Sequence, residues 1–135
     1  MRTGLSGVVV GIPAAQPSNI KLIWSHAGGT LLGAVSRVVG GVDAESLAGT
    51  PAVNSRLYHV RRFYDDTAAS ANPIAMQGLK TLLGGTSHIV FGTDVPYGTS
   101  AQIRRALQTV GFSPPELAGI ERDNALAILP RYRAR

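Results

Sequence analysis

The chain has 135 residues, 44% of them apolar and 16% charged, enough for one globular domain with a buried core and too apolar for a disordered chain. It contains no cysteine, which excludes a disulfide framework and a thiolate metal site, so any metal must be held by histidine, carboxylate or water. The formal charge is +5, but the basic residues fall mostly as singles and pairs, with a last cluster at Arg131, Arg133 and Arg135. Without interleaved aromatics they read as solvated helix faces and a basic tail, not as a nucleic-acid surface.

In chain order, residues 1–17 form a poorly defined segment. Its apolar Val8-Val9-Val10 faintly resembles a leader, but Gly4, Gly7, Gly11 and Pro13 interrupt it. No segment is apolar for long enough to cross a bilayer, and the expected location is cytoplasmic. Pro17-Ser18-Asn19 is a turn, Ile20–Trp24 a strand, and His26 stands at that strand's exit before Gly28-Gly29. Leu31, Leu32, Val35, Val38 and Val39 recur at helical spacing until Gly40-Gly41. Residues 42–52 read as a loop with a helical turn at Asp43–Leu47. Asn54 or Ser55 caps a short helix through Val60, and Arg62–Asp65 reads as a second strand with its exit at Asp66-Thr67-Ala68. Asn72 caps a helix that has Pro73 in its first turn and Ile74, Met76, Leu79, Leu82 and Leu83 on its apolar face. His88–Phe91 is the third strand. Thr99 or Ser100 caps the next helix, with Ile103, Leu107 and Val110 inward, and Ser113 with Glu116 opens one or two closing helices that Pro130 ends.

This alternation predicts an α/β fold with parallel strands and right-handed crossovers. A closed eight-unit barrel takes about 250 residues, so three units amount to somewhat less than half of one. Two phrases carry the chemistry: Ser25-His26-Ala27-Gly28-Gly29 and Phe91-Gly92-Thr93-Asp94-Val95-Pro96-Tyr97. Each follows a short β-branched or aromatic run and delivers one polar side chain at a strand's carboxyl end, which makes half of a metal or acid/base site.

Together with Phe63-Tyr64-Asp65-Asp66-Thr67-Ala68 and Arg122-Asp123-Asn124-Ala125, these phrases resemble the amidohydrolase-related superfamily. The branch is that of the aminocarboxymuconate-semialdehyde, γ-resorcylate and 6-methylsalicylate decarboxylases. The order of the four pieces matches the sixth, seventh and eighth strands and last helices of that family's (β/α)8 TIM barrel. The match covers residues 18–132 of what reads as a single partial domain over residues 1–135. The resemblance implies a divalent metal, zinc or manganese, with Asp94 as a ligand and His26 as the acid/base catalyst. It implies decarboxylation, or hydrolysis by relatives, of small carboxylated aromatic or muconate-like substrates. A carboxylate suits such a cation, and an imidazole moves protons near neutral pH.

The family's remaining ligands, from its first and fifth strands, have no counterpart here. The other two histidines, His59 and His88, belong to a helix and to a strand's start. The chain is therefore expected to be inactive alone, its partner being a complementary half-barrel chain or a second copy. The alternatives are a non-catalytic truncated product and a basic binding module. Trp24 either lines a substrate pocket or packs towards the helices. Arg37 either reaches a substrate carboxylate or stays on a helix surface. Asp65 stands where the family carries an aromatic or apolar residue, and a charge inside a barrel strand is costly there unless the missing half leaves it exposed. Asp66 is assigned a structural role in the exit loops.

Overall fold

The structure is a computed structural model and describes residues 20–133. Three parallel strands, β1 (Ile23–Trp24), β2 (Tyr64–Asp66) and β3 (Ile89–Val90), lie in the order β1-β2-β3. Ile23 pairs with Tyr64, Trp24 with Asp65, Asp65 with Ile89, and Asp66 with Val90. The helices are α1 (Leu31–Val39), α2 (Ala44–Ala48), α3 (Arg56–Val60), α4 (Pro73–Leu83), α5 (Ser100–Leu107), α6 (Pro114–Ala118) and α7 (Asn124–Ile128). Among the described residues no helix is long and apolar enough to cross a membrane.

The helices start where the sequence predicts. Asp43, Ser55, Asn72 and Thr99 accept the backbone N–H three residues on, and Gly40 and Gly84 end α1 and α4 in the left-handed conformation. The strands are shorter than the apolar runs. β2 starts at Tyr64 because Arg62 and Phe63 still close turns onto His59 and Val60. Ladder bonds nevertheless reach past the strand ends, from Tyr64 N to Leu22 O (2.9 Å) and from Ala27 N to Asp66 O (3.1 Å).

Pairing fixes which side each strand residue faces, since register partners share a face and neighbours alternate. Trp24, Phe63 and Ile89 face the helices and enter two apolar clusters. One is built on Met76, Leu79, Leu107 and Ile120, the other on Leu31, Val38, Val60 and Leu82. The opposite side, which would line a closed barrel, carries Ile23, Tyr64 and Val90. Ile23 is 51% exposed, but Tyr64 and Val90 are buried, with Tyr64 stacked on His88 at 4.4 Å.

Asp65 stays buried. It shares the face of Trp24 and Ile89 and is only 1% exposed, so its carboxyl lies between sheet and helices and is not bared on the open side. Burial, reinforced by the neighbouring Asp66 charge, pushes its pKa up from 3.8 to about 7.

Two polar clips hold the layers. Asn124, the first residue of α7, donates its amide to Thr86 O (2.8 Å) and Ile89 O (2.7 Å), pinning the start of β3. Arg61 donates to Leu82 O (2.9 Å) at the end of α4 and to Leu47 O and Gly49 O at the end of α2. These are carbonyls that helix ends leave unpaired. Arg61→Ala is expected to lower unfolding free energy by about 2 kcal/mol, and Arg61→Lys to recover only part of it because a point charge cannot serve three acceptors at once. Urea denaturation of the three proteins measures both; equal midpoints would contradict the clip.

Candidate functional site

His26 and Asp94 stand beyond the exits of the outer strands, β1 and β3, which lie about 10 Å apart across the sheet by strand spacing. Their side chains close that gap. His26 Nε2 lies 3.6 Å from Asp94 Oδ1, with the His26 side chain 46% and that of Asp94 28% exposed. The distance is too long for a hydrogen bond and within reach of an ion pair.

The backbone is bent to achieve this. His26, Ala27, Gly28 and Gly29 all have positive φ, from 52° to 72°, and form a left-handed turn closed by Gly29 N to His26 O at 2.9 Å. For residues with a Cβ that conformation costs about 1–2 kcal/mol each, which marks His26 and Ala27 as held there by their surroundings. Asp94, with φ 59°, is bent likewise; its carbonyl accepts Tyr97 N (2.7 Å) and Gly98 N (3.0 Å) around the cis Val95–Pro96 bond.

Asp66 is the holder. Its Oδ1 accepts His26 N (2.7 Å) and Ala68 N (3.0 Å), and its Oδ2 accepts the Ser25 hydroxyl (3.1 Å). The structural role assigned to Asp66 thus takes the specific form of fixing the backbone of His26. The β3 side is tied in by Thr67, whose fully buried hydroxyl donates to Gly92 O and accepts from Gly92 N, both at 3.0 Å. Gly92 must be glycine, because a Cβ there would lie 2.9 Å from Asp66 Cγ. Sequence reasoning missed Thr67 and Gly92 as positioning residues. The signal was the placement of Thr67 and Gly92 at adjacent strand exits, readable only once the strands were paired. Asp66→Ala removes three acceptor contacts at once and is expected to cost about 3 kcal/mol of stability. It should also make the amides of residues 26–29 exchange faster with solvent; unchanged exchange there would contradict the holding role.

The structure does not bring Trp24 or Arg37 to this pair. Trp24 packs edge-on to Phe63 at 5.4 Å on the helix side. Arg37 is exposed in the last turn of α1, about 10 Å along the axis from the turn that carries His26. His59 lies in the last turn of α3.

Whether the pair fits a metal can be tested on its geometry. Two donors on one tetrahedral cation with bonds near 2.1 Å stand about 3.4 Å apart, close to the 3.6 Å seen. Such a site needs three or four protein ligands, however, and among the described residues no group of three His, Cys, Asp or Glu side chains is placed to hold a metal ion. The pair supplies one edge of a coordination sphere, so the described residues do not fit a metal held by this chain alone.

No family model matches the chain. Over 139 aligned residues it is 31% identical to decarboxylase yanB of Aspergillus niger, covering 98% of this chain and 37% of that protein. It is 29% identical over 116 residues to 6-methylsalicylic acid decarboxylase of Penicillium expansum, covering 84% and 36%. It thus spans little more than a third of the curated relatives it matches. Among solved structures, it superposes with a TM-score of 0.68 and 20% identity on a dihydroxybenzoic acid decarboxylase from Polaromonas, solved with manganese and the inhibitor 2-nitroresorcinol. That match covers 96% of this chain and 38% of the other. Three units of eight make up the same share, so the three-stranded sheet is consistent with a partial (β/α)8 barrel. The homologues of this chain are therefore decarboxylases of the amidohydrolase-related superfamily, and what it shares with them is their carboxyl-terminal part.

Proposed function

We propose that this chain supplies the last three strands of a metal-dependent decarboxylase of small carboxylated aromatic acids, and that it is inactive until side chains from outside the described residues complete the metal site. The observation that carries the reading is the convergence of His26 and Asp94, from exits of non-adjacent strands, at 3.6 Å. The substrate class is supported by the relatives, whose names specify 6-methylsalicylic and dihydroxybenzoic acids.

In this reading Asp94 is a metal ligand, and His26 is the proton donor. The protonated imidazole gives its proton to the ring carbon that bears the carboxylate. The electron pair of the breaking carbon–carbon bond then restores the aromatic ring as carbon dioxide leaves, and the imidazole regains a proton from water. The exposed face of His26 leaves room for a planar acid to approach. The Asp66 contact to His26 N holds the backbone from which the ring projects.

The completing strands are supplied experimentally by a chimera. The matching part of the Penicillium expansum enzyme is replaced by residues 20–133 of this chain. The chimera is expected to bind one equivalent of zinc or manganese and to decarboxylate 6-methylsalicylate, whereas the isolated chain does neither. Asp94→Ala in the chimera should release the metal. A folded chimera that holds no metal, or keeps it after Asp94→Ala, would refute the ligand assignment.

A further inference from the structure

We propose that Asp65 and Trp24 form a proton-controlled latch beneath the His26–Gly29 turn: as a neutral acid Asp65 lets the turn settle on the sheet, and as a carboxylate it draws the Trp24 indole N–H and displaces the turn. The latch does not depend on the chemistry proposed for His26.

Three observations meet here. Trp24 and Asp65 are register partners on adjacent strands, so their side chains leave the same face of the sheet side by side. Trp24 Nε1 and Asp65 Oδ1 are also the two buried side-chain polar atoms that lack a hydrogen-bond partner among the described residues. One is a donor only, and the other becomes a stronger acceptor when ionised, so each is what the other lacks. Finally, Asp65 sits directly under the turn. A Cβ on Gly28 would lie 3.0 Å from Asp65 Oδ1, and 3.3 Å from Leu31 at the start of α1. Trp24 lies two residues before His26, so movement at either partner reaches the turn, from below or along the chain.

The surroundings set the direction. Asp65 has Trp24 of β1 and Ile89 of β3 as register partners and Gly28 of the turn over its carboxyl, with Leu31 beside Gly28 and Met76 and Leu79 of α4 in the cluster that holds Ile89. None is titratable. Among the described residues, Asp66 is the charge that acts on Asp65, and it opposes ionisation as burial does. A carboxylate left there unpaired costs more than a shift of the left-handed turn, which already holds two residues in a strained conformation.

Trp24 is the chain's single tryptophan, so its fluorescence reports on the latch. Between pH 5 and 9 the emission is expected to change in one sigmoidal step centred near 7. The step should be lost in Asp65→Asn and kept in His26→Gln and in His88→Gln. A flat profile, a step that survives Asp65→Asn, or one that disappears with either histidine overturns the latch. The unsubstituted chain gives an independent check by carbon-13 NMR of its aspartate carboxyls. One of them should titrate near neutral pH, and all of them titrating below pH 5 would overturn the proposal.

Discussion

His26→Gln in the chimeric barrel is expected to lower kcat by roughly 10²–10⁴-fold, the usual weight of a positioned proton donor, with metal content and secondary structure unchanged. Glutamine keeps the reach and hydrogen-bonding capacity of the side chain but cannot carry a proton near neutral pH. The geometry makes the substitution informative: the His26 backbone is fixed by Asp66 through its N–H, a contact glutamine retains. A loss of rate then reports on the ring and not on the turn. Carbon dioxide release measures kcat, and elemental analysis measures the metal. A variant that loses the metal with the activity would identify His26 as a ligand, and one that keeps full activity would remove it from the chemistry.

Unfolding free energy is expected to fall by about 4 kcal/mol between pH 4 and pH 7 on account of Asp65 alone, and Asp65→Leu to abolish that fall. The folded pKa is raised, from 3.8 to about 7, so the folded chain holds this proton more tightly than the unfolded one. The stability this affords is complete below the unfolded value. It declines as the pH climbs to the folded value, and is flat above it. Leucine has the shape of the carboxyl group without its charge or polar atoms. The variant should match the wild type near pH 4 and exceed it by about 4 kcal/mol at pH 8. Denaturation midpoints across this range measure the difference. A difference between Asp65→Leu and the wild type that does not widen through this interval would show that Asp65 is ionised and stabilised in the fold, contrary to its buried setting.

The elements were legible in the sequence because their signals are local. Asn72 with Pro73, the Thr99-Ser100 pair and Ser113 with Glu116 mark helix starts by chemistry confined to one turn, and each is a start in the structure, with Thr99 as the cap. Strand lengths were not legible. An apolar run such as Ile20–Trp24 shows that a residue can lie in a sheet, whereas the ladder covers only residues that meet a partner. The side that Asp65 takes was not legible for a related reason. Strand alternation assigns it a side only after the register is known, and a shift of one residue would have put it on the opposite face.

The sequence by itself determined the α/β alternation, the helix caps, and the two strand-exit phrases that carry His26 and Asp94. It also showed the likeness to the carboxyl-terminal part of a barrel. Only the tertiary structure decided that these two side chains meet at 3.6 Å, that Asp66, Thr67 and Gly92 hold their loops, and that Trp24 and Arg37 stand apart from them. The division has one physical reason. Turns, caps and periodicity are set by interactions within a few residues. A site made from strand exits more than sixty residues apart depends on which strands pair, in what register, and with which face towards the helices.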